Sequence, residues 1–133
     1  MRLTGAVVTL VALGLVAASP HEKPSRSVSF KGDVFPVIKE HCLPCHSEDN
    51  FNPSELSLDS YDLLMQGGKN GATVVAGKAN ESILVKKLGE APPFGDRMPL
   101  NKKQVIAEGK AKYLSASELK IIADWINEGA QNN

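Results

Sequence analysis

Both cysteines of this 133-residue chain fall within the five residues Cys42-Leu43-Pro44-Cys45-His46, and this clustering constrains the fold more than any other feature. Two thiols three positions apart on a helical turn reach two points on one edge of a flat group. A histidine directly after the second thiol is then carried beneath that group's centre. A haem meets these demands: Cys42 and Cys45 would form thioether bonds to its two vinyl groups, and His46 would be the proximal iron ligand. Three other chemistries use paired cysteines. A redox-active CxxC belongs in a thioredoxin-like βαβ setting, which this sequence does not show. A zinc site would have Cys42, Cys45, His46 and at most His41 crowded together, whereas zinc usually draws its ligands from two separated pairs. A disulfide across two intervening residues would close only a tight, strained loop. One covalently attached haem c is the expectation.

The amino terminus agrees with covalent haem attachment, which takes place outside the cytoplasm. Met1 and Arg2 make a short basic start, Leu3 to Val16 is almost wholly apolar, and Ala17, Ala18 and Ser19 are small. Residues 1–18 read as a signal peptide cut after Ala18, because a cut after Ser19 would leave Pro20 behind the bond. The apolar run falls short of the roughly 20 residues of a bilayer span, so no stable membrane insertion is expected after removal. A retained amino-terminal anchor is the competing reading. The protein is expected in the periplasm or another extracytoplasmic space. Residues 19–29, rich in Pro, Ser and charge, read as a flexible lead-in with His21 a solvated tail residue, and residues 30–133 as one domain. Removing Arg2 leaves 14 basic against 15 acidic side chains, a balance that argues against a nucleic-acid partner. Aromatics are few, and a domain this small buries a modest core, so a cofactor acting as part of that core would help it fold.

Apolar spacing predicts an all-α fold. Asp33 is the expected N-cap of a first helix with Pro36 in its first turn, an apolar face of Val34, Phe35 and Ile38, and an end at Cys42. A polar loop, 47–55, precedes a short extended piece around Leu56 and Leu58. A brief helix over 60–66 stops at Gly67-Gly68, and another spans about 80–88. The loop 89–99 is punctuated by Pro92-Pro93, Gly95 and Pro99, and a short helix is expected near 104–108 within the lysine-bearing stretch 101–113. Ser115 and Glu118 form a capping box for the last helix, which places Leu119, Ile122, Trp125 and Ile126 on one face and ends at Gly129.

A sixth iron ligand has to come from farther along the chain. Met65 sits beside Leu63 and Leu64 and reads as core filling. Met98 lies in the loop Gly95-Asp96-Arg97-Met98-Pro99, and a loop can approach a metal where a helix cannot. Its thioether would favour the ferrous state. The alternative is a buried loop methionine, with the iron five-coordinate or bound by another group. His41 precedes the first cysteine, on the side of the turn away from His46, and reads as a surface or helix-end residue. Arg97 is expected to neutralise a haem propionate or face solvent. Lys102, Lys103, Lys110 and Lys112 read as a solvated charged loop, with a docking patch for an acidic partner as the alternative.

Several segments together resemble the planctomycete-type cytochrome c domain. They are Phe35-Pro36-Val37-Ile38, the haem motif, Leu56-Ser57-Leu58-Asp59, Gly67-Gly68, Val74-Val75-Ala76-Gly77 and Glu81-Ser82-Ile83-Leu84. Arg97-Met98-Pro99 and Trp125-Ile126-Asn127-Glu128-Gly129-Ala130 complete the set. The resemblance implies a small class I cytochrome c fold whose first and last helices cross near the haem, with His46 and Met98 as the axial pair. Leu100 departs from the second proline often found after Met-Pro, and residues 101–113 make the stretch before Ser115 longer than usual. The expected function is one-electron transfer, not enzymatic turnover, with a separate redox protein as partner. The alternative is a peroxidase-like haem enzyme or ligand sensor with a displaceable distal ligand.

Overall fold

A computed structural model describes residues 26–43 and 45–133. The expected signal segment, His21 and Pro44 lie outside the described residues. The architecture is helical, as expected: five α-helices joined by long loops, with no strand among the described residues beyond an isolated bridge between Gly68 and Gly71. No helix among the described residues is long and apolar enough to cross a membrane.

The first helical stretch starts earlier than the sequence indicated. A π-helical turn, Phe30–Val34, leads directly into α1, Phe35–His41. Ser29, not Asp33, is the cap: its Oγ accepts from the Gly32 N–H at 3.1 Å. Asp33 lies inside the first turn, and its carboxylate reaches back to accept the Ser29 N–H at 2.8 Å. That bond, aided by Arg26 at 2.6 Å, holds the Asp33 carboxyl below the usual carboxylate range. A short acidic side chain serves either position, because both satisfy an orphan amide.

The last helix, α5 (Ala116–Asn127), carries the predicted capping box. It lies against the first stretch in the opposite sense. Phe30 meets Trp125 with ring centroids 5.3 Å apart, Lys31 donates its N–H to the Asn133 carbonyl at 3.0 Å, and His41 meets Glu118 at 2.9 Å. Trp125 is only 1% exposed, and its indole N–H donates to the Gln131 carbonyl at 2.9 Å. Tyr61 stands edge-on to Phe30 at 5.3 Å and donates its hydroxyl to the Ala130 carbonyl at 2.9 Å. The apolar sides of both helices thus close on one aromatic cluster whose polar atoms are all paired.

Between these helices, α2 (Tyr61–Gln66) is capped by the Ser60 hydroxyl and ended by Gly67 at φ +79°. A Cβ on Gly67 would run into the Gly71 carbonyl, which is why a glycine stops the helix here. α3 (Ile83–Leu88) is shorter than the predicted 80–88, because Ser82 is extended and separates it from a 3-10 turn at Ala79–Glu81. The buried Ser82 hydroxyl accepts the Val75 N–H at 2.9 Å and donates to the Lys78 carbonyl at 3.0 Å, so local bonding replaces helix there. α4 (Lys103–Ala107) buries no side chain. The expected extended piece around Leu56 and Leu58 pairs with no strand, and Leu58 is buried, as is Val74.

Two predictions follow from the α1–α5 contact. Trp125→Ala removes the largest fully buried side chain and is expected to lower unfolding stability by about 3–5 kcal/mol in denaturant titration. Glu118 accepts the Ser115 hydroxyl and the Ser115 N–H, both at 2.7 Å, and meets His41; these contacts hold its pKa at about 2 against an ordinary 4.5. A carboxylate lowered on folding stabilises above its unfolded pKa, and that contribution fades as pH falls through the folded value. Glu118→Gln is therefore expected to unfold at lower denaturant than wild type at pH 7, with the gap closing between about pH 4.5 and 2. A gap independent of pH would contradict this assignment.

Candidate haem site

The end of α1 delivers the first thiol. Cys42 donates its N–H to the Ile38 carbonyl at 2.9 Å, and the chain then tightens so that the His46 N–H reaches the Cys42 carbonyl at 3.0 Å. Cys42 and Cys45 are both free thiols, the first half-buried and the second exposed. Burial pushes the Cys42 thiol up to about 11. The attacking thiol of a redox-active CxxC has a lowered pKa in an electropositive setting, a role that Cys42 does not fit. The zinc reading fares no better. Among the described residues the one three-donor group is Glu40, His41 and Glu118, which contains none of the motif's Cys42, Cys45 and His46.

His46 is held from two sides. Its carbonyl accepts the Leu58 N–H at 2.8 Å, and its Nδ1 lies 3.0 Å from the Leu56 carbonyl. A carbonyl only accepts, so Nδ1 carries the proton and Nε2 keeps the lone pair that a metal needs. The Leu56 carbonyl is set in turn by the loop before it, where Asn52 Oδ1 accepts the Leu56 N–H at 3.1 Å and the Ser54 hydroxyl at 2.7 Å. The sequence marked 47–55 as a polar loop. The Leu56 carbonyl as a partner of His46 carries no sequence signature, because any residue supplies a carbonyl.

Met98 is supplied by a separate stretch of chain, the loop after α3. Its N–H donates to the Lys87 carbonyl near the end of α3 at 2.8 Å. Arg97, expected to neutralise a haem propionate or face solvent, is tied into the fold. It is half-buried, donating Nε to the Leu88 carbonyl at 3.0 Å and laying its guanidinium over the Tyr113 ring at 3.9 Å. His41 ends α1, as expected, and is half-buried and bound to Glu118. Met65 packs against the core. In the lysine stretch, Lys110 pairs with Glu108 at 2.9 Å, while Lys102, Lys103 and Lys112 are exposed.

Cys42, Cys45, His46 and Met98 all line one cavity of about 730 Å³, within the size range of cofactor pockets. Leu56 and Leu58 from the loop after the motif, and Ile83, Leu84 and Leu88 from α3, add to its apolar wall. These residues fit a haem. The cavity is largely apolar, the thiols sit together with the histidine, and that histidine's free nitrogen is Nε2. Phe51, Phe94 and Leu100 also line the cavity although they are 95%, 42% and 66% exposed. Sequence reading placed Phe51 in a polar loop; a lone phenylalanine among Asp, Asn, Pro and Ser was the available signal.

The sequence comparison agrees with this geometry. Residues 42–99 match the family described as planctomycete cytochrome C. That match begins at the first cysteine and ends one residue after Met98. No curated protein matches the chain. Among solved structures, a chain of Kuenenia stuttgartiensis Hydrazine Synthase is similar, at 27% identity and a TM-score of 0.53 over 81% of this chain. The present chain spans 17% of the length of that one. Over residues 42–99 the chain is thus similar to the planctomycete cytochrome C family.

Proposed function

We propose that the protein is an exported one-electron carrier in which Cys42 and Cys45 hold a single haem c and His46 and Met98 are its axial ligands. A cytochrome c domain implies covalently bound haem c, and the bound haem supplies the one-electron redox change. The observation that carries the reading is that His46 and Met98 line the same apolar cavity as both thiols. With two protein ligands assigned, no axial position remains for substrate, which favours carriage over turnover. Buried Leu58, Leu84 and Leu88 exclude water, and a dry wall disfavours the more highly charged oxidised state. Leu56, through His46 Nδ1, keeps the imidazole in one tautomer and orientation. Domains of this family typically work outside the cytoplasm, which supports the signal-peptide reading of residues 1–18. The electron partner is a separate redox protein.

A second reading is favoured by the likeness to a chain of a hydrazine synthase, an enzyme. In it the domain serves an enzyme, and its distal ligand is displaceable. Met98→Ala in the haem-loaded protein separates the possibilities. On the carrier reading the wild type shows the weak red charge-transfer band of thioether-bound ferric haem and binds carbon monoxide poorly when reduced at neutral pH. The variant loses the band, binds carbon monoxide readily and has a lower midpoint potential. An unchanged spectrum would sink Met98 as ligand. Tight, rapid carbon monoxide binding by the wild type would favour the enzyme or sensor.

A further inference from the structure

We infer that Lys87 is a positioning residue that holds the Met98 loop closed over the cavity, an inference that rests on reading Met98 as a ligand. The loop has little means of holding itself. Between residues 90 and 101 only one main-chain N–H, that of Met98, donates to a backbone carbonyl among the described residues, and that carbonyl belongs to Lys87. Pro92, Pro93 and Pro99 have no N–H to give, and Gly95 sits at φ +55°. The Lys87 side chain supplies what is missing. Its ammonium donates to the Phe94 carbonyl at 2.7 Å and to the Asp96 carbonyl, and lies 4.9 Å from the Phe94 ring centroid.

One residue therefore grips the loop at Phe94, Asp96 and Met98, from the last turn of a helix whose Leu84 and Leu88 are buried in the core. Lys87 takes part in no ion pair among the described residues, so its charge is directed at these carbonyls, and charged donors make the stronger hydrogen bonds. It is half-buried and lines the cavity, whereas its neighbour Lys86 is exposed. The three-point grip restricts the loop to the conformation that presents Met98. Without the ammonium, the Phe94 and Asp96 carbonyls turn to water and the Met98-off state becomes more populated.

The test uses the full haem-loaded protein in the ferric state, with imidazole as probe. Imidazole enters only when Met98 is off, so its apparent affinity reports the open fraction. Lys87→Met is expected to bind imidazole on the order of tenfold more tightly and to lose the red thioether band at a lower temperature than wild type. Lys87→Arg, which can still donate to both carbonyls, is expected to fall between them, and Lys86→Met to match wild type. A wild-type red band together with unchanged imidazole affinity in Lys87→Met would overturn the brace alone. A wild type without that band would instead overturn Met98 as the ligand. Amine acylation of the wild type, read by mass spectrometry, needs no variant to fold. Lys87 should be labelled more slowly than Lys86, and equal labelling would overturn the brace.

Discussion

A histidine can serve a metal only if its ring is fixed, and here one hydrogen bond fixes it, from His46 Nδ1 to the Leu56 carbonyl at 3.0 Å. Much of the surrounding structure serves that bond. The chain leaves α1 at Cys42, makes the tight return that places His46, and must bring residues 56–58 alongside. Asn52 organises the intervening loop, and the burial of Leu58 anchors its far end. The same bond decides the chemistry, because a proton confined to Nδ1 leaves Nε2 basic.

The remaining frame keeps two separate pieces of chain facing one cavity. Packing of Phe30, Tyr61 and Trp125 holds the first helical stretch on α5, and the His41–Glu118 contact joins the far end of α1 to the start of α5. The motif's turn is thereby set relative to the core. Met98 depends on different supports, the end of α3 and the side chains of Lys87 and Arg97. The two proposed ligands thus rest on different supports. The histidine side is a packed helix end tied to backbone, and the methionine side is a proline-rich loop fastened by two cations. The second is the more readily opened of the two, since hydrogen bonds near solvent are individually modest.

Much of this was legible in the sequence because it is written in local rules. The CxxCH spacing marks its own chemistry, the Ser115–Glu118 capping box marks the start of α5, and the spacing of Ile122, Trp125 and Ile126 marks a buried face that the structure contains. Gly67 ended α2 for a steric reason that a glycine pair already signals. What the sequence left illegible has a common cause. Ser29 displaced Asp33 as cap because both side chains can satisfy the same amides, and the choice is made by Asn133, which accepts from the Ser29 hydroxyl, the Phe30 N–H and the Lys31 N–H a hundred residues away. Arg97 turned onto Tyr113, His41 found Glu118, and Lys87 found the carbonyls of a later loop. Each partner is a matter of tertiary position, which no local pattern encodes.

The central claim is that Cys42 and Cys45 hold one haem covalently, and the most direct measurement of it is intact mass after denaturation. The protein is to be produced in a host able to attach haem, exported, unfolded in acid and organic solvent, and weighed. The account predicts a polypeptide heavier by one haem, with the haem's colour remaining on the chain and lost from it when both cysteines are replaced by alanine. A mass equal to the bare polypeptide, or haem released on unfolding, would contradict it.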